Sequence, residues 1–211
     1  MGRRPAPVHE NVQQVVERLA LRLAEQRQGC LTANHLAPYL PVSLGLIRTC
    51  LETMVDESAV WSRTRDHLLT YEFAAYHESS GPALELPHET CVTCGPLSTG
   101  DRPGLCPPCW HAFVEVLRTH GPQTDWPVQA LWEHEILYVA AQSTARLPAE
   151  SLASRSSLSL RRMRQYLQSL SLDGFVSREV EARTGVVLHT FPPLVYPRLL
   201  YQQNMAMLRT L

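Results

Sequence analysis

The chain has 211 residues, enough for one large domain or two small ones, and its 45% hydrophobic and 18% charged content is that of an ordinary soluble globular protein. No stretch approaches the ~20 apolar residues of a membrane span, and the opening Met-Gly-Arg-Arg-Pro-Ala-Pro has no apolar run behind it, so no membrane partner and no secretory leader are expected. A formal net charge of −1 excludes nucleic-acid binding by overall charge, leaving only a locally basic face to supply it.

All 19 basic residues are arginine; isoleucine occurs only at Ile47 and Ile136, and asparagine only at Asn11, Asn34 and Asn204. Lysine, isoleucine and asparagine share AT-rich codons, so a GC-rich bacterial genome is the economical reading. A phosphate-binding Gly-x-x-x-x-Gly-Lys-Ser/Thr loop cannot occur without lysine.

Residues 1–9 are expected to fray. From Glu10 onward Val12, Val15, Val16, Leu19, Ala20 and Leu23 form the apolar stripe of a helix that stops at Gln28-Gly29. Thr32 can cap a second helix over roughly 33–39. After the turn Pro41-Val42-Ser43, Ser43 caps a third from about Leu44 to Asp56, with Leu44, Ile47, Leu51, Met54 and Val55 inward. Ala59–Arg63 and Leu68–Phe73 read as strands around a tip at Arg65-Asp66-His67. Cys30 and Cys50 read as small buried hydrophobes.

Residues 77–87 form a polar linker with proline and glycine. Next stand Cys91-Val-Thr-Cys94 and Cys106-Pro-Pro-Cys109, separated by a stretch holding Gly95, Pro96, Gly100, Pro103 and Gly104. A thiolate pair at i, i+3 grips a tetrahedral ion from one side, and a second pair closes the shell. The intervening loop need only reverse direction. Zinc is the first choice for four sulfurs, with an iron–sulfur cluster as the rival and two disulfides or redox thiols as the plain alternative. Four thiolates leave no open position, so the metal is expected to be structural. His88 and His111 flank the cysteines and read as surface residues. Behind Cys109 the chain turns helical through Trp110, Phe113, Val114 and Leu117 until Gly121-Pro122.

The second half repeats the order of the first: a helix over Val128–Gln142, a short one over Pro148–Ser154, a turn at Ser156-Ser157, and a third helix over Leu158–Ser171. Strands follow at Phe175–Val180 and Val186–Phe191, around a tip at 182–185. A constant offset of 116 places Leu31 on Leu147, Leu44 on Leu160, Arg48 on Arg164, Leu51 on Leu167 and Val60 on Val176 without a gap, so an internal duplication is expected. Glu133, His134 and Glu135 are consecutive on a helix, point different ways, and read as a solvated face. Pro192-Pro193 breaks the last strand. An amphipathic C-terminal helix with Leu199, Leu200, Met207, Leu208 and Leu211 follows, packing on its own domain or pairing in a homodimer.

Helix, helix, turn, helix, hairpin resembles the winged helix-turn-helix superfamily, twice. The cysteine pairs, one in a glycine-turned knuckle and one at a helix start, resemble a treble-clef zinc module. The expected fold class is mainly α with small β hairpins (α+β), as tandem winged helices joined by a zinc-binding module. Its parts are a first winged helix over 8–76, a linker over 77–87, the zinc module over 88–121, a second winged helix over 122–193 and the C-terminal helix over 194–211. The resemblance implies a third helix in the DNA major groove and a wing on the backbone. In the second copy these positions are Ser157, Ser159, Arg161, Arg162, Arg164, Gln165 and Gln168, with Arg178 and Arg183 on the wing. The first copy offers Arg48, Thr49, Arg63 and Arg65 beside Glu52, Asp56 and Glu57, a poorer phosphate surface suited to a protein partner. The expectation is a cytoplasmic, non-enzymatic, duplex-DNA-binding regulator in which zinc fixes the angle between the copies. An adaptor or assembly subunit binding protein partners, or a thiol-based redox or metal sensor, is the alternative.

Overall fold

The computed structural model describes residues 12–57, 60–76, 90–91, 95–96, 105–120, 126–143 and 146–211. Residues 1–9, expected to fray, the expected linker 77–87, His88 and Cys94 lie outside these. The chain is a mixed helix-and-sheet fold with two small antiparallel three-stranded sheets.

In the first half α1 (Val12–Gln26) buries Val15, Val16, Leu19, Ala20, Leu23 and Ala24, the predicted stripe. It ends where Gln28 and Gly29 take positive φ of 53° and 77°, a left-handed reversal that glycine adopts without strain. β1 (Cys30–Leu31), α2 (Ala33–Leu36), a 3-10 turn (Ala37–Tyr39) and α3 (Leu44–Glu57) follow. β2 (Val60–Arg65) and β3 (Leu68–Phe73) form a hairpin whose two-residue tip, Asp66-His67, has φ of 49° and 64°. Positive φ at both positions is the turn that matches strand twist. Strand order is β1-β3-β2.

In the second half α5 (Trp126–Ala141), β6 (Arg146–Pro148), α6 (Ala149–Ala153), α7 (Leu160–Leu172), β7 (Ser177–Val180) and β8 (Val187–Thr190) give the equivalent order, β6-β8-β7. His189 stands opposite Leu147 as Tyr71 stands opposite Leu31, so the register places a two-residue insertion in the second hairpin. Up to that hairpin the offset of 116 holds element by element. It also carries a side-chain pair: the Gln13 amide donates to Glu17, and Gln129 donates to Glu133 at 3.1 Å. Both sheets have a third strand that the sequence reading lacked.

The two halves pack directly on each other through a buried polar seam. Glu133 of α5 accepts the Leu44 N–H at the start of α3 (2.5 Å), the Tyr166 hydroxyl (2.7 Å) and the Gln129 amide. Asn204, on α8 (Arg198–Leu208), donates to the Pro38 carbonyl at 3.0 Å and to the Tyr196 hydroxyl at 2.8 Å. Tyr196 lies 2.5 Å from His134 Nδ1, and His134 Nε2 lies 3.3 Å from the Val42 carbonyl. The amide can only donate and the carbonyl can only accept, so the proton order is Asn204 to Tyr196 to His134 Nδ1, with Nε2–H on Val42. The Leu69 N–H donates to the Gly174 carbonyl at 2.8 Å, and Asn34 donates to the Phe175 carbonyl at 2.7 Å.

The seam corrects one expectation. Glu133 and His134 are 1% and 0% exposed, not a solvated face. α5 is apolar on nearly all sides, with Ala130, Ile136, Leu137 and Ala140 also buried, so its flank that carries polar residues faces protein as well. Glu135 is half-buried and accepts the Ser157 N–H and hydroxyl at 2.9 and 2.7 Å. α8 packs on α5 and on the 3-10 turn of the first half, burying Leu200, Asn204, Met205 and Leu208. Cys50 is buried and Cys30 half-buried, its backbone paired with Glu72 at the sheet edge.

Candidate metal centre and nucleic-acid interface

β4 (Thr90–Cys91) and β5 (Gly95–Pro96) pair antiparallel, with Cys91 opposite Gly95, so the chain reverses right behind the first cysteine. α4 (Pro107–His120) starts immediately after Cys106 and carries Cys109 in its first turn. Prolines at the first two helical positions lack only the N–H groups that a helix start leaves unpaired. The Trp110 N–H bonds back to the Cys106 carbonyl at 2.8 Å. The sulfurs of Cys91, Cys106 and Cys109 lie within 4.8 Å of one another, and all three residues are buried. Zinc–sulfur bonds of about 2.3 Å in a tetrahedron put sulfurs about 3.8 Å apart, so the three thiols fit one ion.

The fourth predicted ligand, Cys94, lies outside the described residues, as does His88. His111 is exposed on α4 and is not in the cluster. None of the five described cysteines forms a disulfide. Leu105, Phe113 and Leu117 join the thiols to the main core, and α4 leans on α1. The cysteine cluster thus packs beside the first half, which meets the second half through the seam.

On the second half, α7 buries Met163, Leu167 and Leu170 and turns its other side outward. All nine predicted contact residues, Ser157, Ser159, Arg161, Arg162, Arg164, Gln165, Gln168, Arg178 and Arg183, are exposed. Ser159 precedes the helix in extended conformation, and Ser157 is held by Glu135. Arg164, Gln168 and Arg178 line one hollow between helix and hairpin together with Glu150 and His189. Arg162 and Gln165 line another on the opposite flank, with Trp132 and Tyr166. Arg164 is ion-paired with Glu150. Arg161, Arg162, Arg178 and Arg183 form no ion pair among the described residues.

The equivalent side of the first half is electrically satisfied. Arg48 pairs with Glu52 at 2.6 Å and lies 3.5 Å from Asp173 across the seam. Arg63 and Arg65 both reach Glu72, at 3.8 and 2.5 Å. Among the described residues no helix is long and apolar enough to cross a membrane. Compared with protein families, curated proteins and solved structures, the chain matches none.

Proposed function

We propose that this chain is a DNA-binding protein of winged-helix type. It contacts duplex DNA through α7 and the β7–β8 hairpin of its second half. One observation carries the reading: four arginines of that surface stand exposed without a carboxylate partner among the described residues, whereas Arg48, Arg63 and Arg65 on the corresponding side of the first half are each ion-paired within the chain. Unpaired guanidinium groups are free to meet phosphates and guanine edges. The order helix, strand, helix, helix, hairpin in each half supports the same reading. Zinc, held by Cys91, Cys106 and Cys109 with Cys94 as fourth ligand, would fasten the knuckle to the start of α4. Regulation of transcription in a bacterial cytoplasm is the role such a protein would serve.

The test is binding to duplex DNA as salt is raised. Each neutralised phosphate contributes about 0.9 to the slope of log affinity against log salt. Arg161→Ala with Arg162→Ala should lower that slope by about 1.8. Absence of binding at low salt, or an unchanged slope, rejects the reading.

The Arg164–Glu150 pair favours a second reading, an adaptor that holds protein partners, because a groove-reading arginine would have to leave that carboxylate. The first half, with its arginines satisfied, would then be the partner-binding side. Failure of the DNA assay together with capture of a defined protein partner would establish it.

A further inference from the structure

We propose that the groove where α1, α5 and the segment before α8 meet is a binding site for a small organic monocarboxylate. The groove encloses about 340 Å³ and is lined by Ala140, Ala141, Ser143, Pro192–Val195 and, from the other half of the chain, Arg27. This is the small end of the range of ligand pockets, about 300–1,000 Å³. Among the described residues its walls are apolar except for one hydroxyl and one guanidinium, and no carboxylate lines it.

Arg27 is half-buried and forms no ion pair among the described residues; burial pulls its pKa down, with Tyr39 and Cys30 opposing it. Its nearest polar neighbour is His35 Nε2, at 3.3 Å from Nη1. That nitrogen is already committed. His35 Nδ1 accepts the Thr32 N–H at 3.1 Å, so Nε2 carries the ring proton and gives it to the Pro193 carbonyl at 3.1 Å. Arg27 therefore meets a donor and keeps its own N–H groups unspent. Such a fork matches a planar carboxylate, two bonds to two oxygens. A second arginine bonds one of the lining residues from outside the groove: Arg155 donates to the Ser143 hydroxyl at 3.1 Å and has no carboxylate partner among the described residues.

A lining guanidinium with no acid beside it among the described lining residues calls for an anion, and the apolar walls call for a hydrocarbon body behind it. Inorganic phosphate would satisfy the charge but leave the alanine, proline, leucine and valine surfaces unmatched. The site does not depend on the proposed DNA contact, which uses other residues. Its walls belong to both halves, so an occupant bridges them.

The test is calorimetric titration of the full chain with hexanoate and with benzoate, using hexanol, benzyl alcohol and inorganic phosphate as controls. Saturable binding of a carboxylate below about 20 mM is expected, with the alcohols and phosphate at least about tenfold weaker. Arg27→Gln should weaken carboxylate binding by about tenfold or more, and Arg155→Gln by about twofold to fivefold. Ala141→Leu fills the groove without touching either arginine and should abolish binding; it decides the matter if Arg27→Gln does not fold. No saturable binding of either carboxylate, equal binding of the alcohols, or full binding by the Ala141→Leu chain overturns the proposal.

Discussion

Replacing Glu133 by glutamine should change how stability responds to pH, and the sign follows from the seam. The Glu133 carboxyl is buried between the two halves, and this burial pushes its pKa up to about 7 from the usual 4.5. Hydrogen bonds from Tyr166, Leu44 and Gln129 pull the other way without overcoming it. The folded chain then keeps this proton up to about pH 7, while the unfolded chain sheds it near pH 4.5. Stability falls as pH rises through that window, by about 3 kcal/mol at most. His35 works in the opposite sense: burial, with Arg27 beside it, depresses its pKa from 6.5 to about 3, so its contribution is lost as pH falls through that range. The two slopes oppose each other between about pH 4.5 and 6.5, and the parent profile alone would hide both. The difference between parent and Glu133→Gln isolates the carboxyl. Urea unfolding of both chains at pH 5, 6, 7 and 8 should show the variant gaining on the parent between pH 5 and 7 and the gain levelling off by pH 8. Parallel curves would refute the reasoning, because a carboxyl that had found enough compensation to ionise normally gives no slope in this window.

Three further outcomes follow from the same structure. Gly174 has φ +77°, and a Cβ there would sit 3.0 Å from Leu69 Cβ and 3.1 Å from Leu69 N; Gly185, at φ +70°, would meet nothing within 4 Å. Gly185→Ala should cost only the backbone term of about 1–2 kcal/mol, and Gly174→Ala measurably more in the same unfolding assay. Tyr196→Phe removes the hydroxyl between Asn204 and His134 and should destabilise the chain by about 1–3 kcal/mol, with exchange protection lost first at the seam. Under the proposed metal site, the parent chain should carry about one zinc per chain by elemental analysis, and Cys109→Ser should lower that and expose Cys91 and Cys106 to thiol reagents, while far-ultraviolet circular dichroism from both halves persists.

The helices and hairpins were legible because their signals are local. Val12 to Leu23 recur at helical spacing, and Ser43 stands where α3 begins; α7 starts two residues later than the expected Leu158, with Ser159 rather than Ser156-Ser157 in front of it. The repeat offset was legible because both halves keep their core positions in step. The strands Cys30–Leu31 and Arg146–Pro148 were not, since two or three residues carry no alternation to read. The seam was invisible for a different reason. Glu133 taken alone is a carboxylate on a helix, and its burial depends on what lies across from it, at Leu44 and Tyr166. One clue was available: α5 is apolar around most of its circumference, as a helix enclosed by protein should be. The cysteine spacing pointed to the cluster because metal geometry constrains ligands within a few residues. Which arginines remain unpaired was readable only in part: Arg48 and Glu52 stand one helical turn apart and Arg65 reaches Glu72 across a predicted hairpin, but the Glu150 partner of Arg164 lies 14 residues away on another helix.

The Asn204 amide that closes on the Pro38 carbonyl joins positions 166 residues apart. Synthesis runs from one end, so the earlier half leaves the ribosome with Pro38, Val42 and Leu44 still waiting for partners not yet made. Loop closure of that length is slow. Although the chain contains two copies of one pattern, neither can finish maturing alone, and both should melt together in a single transition.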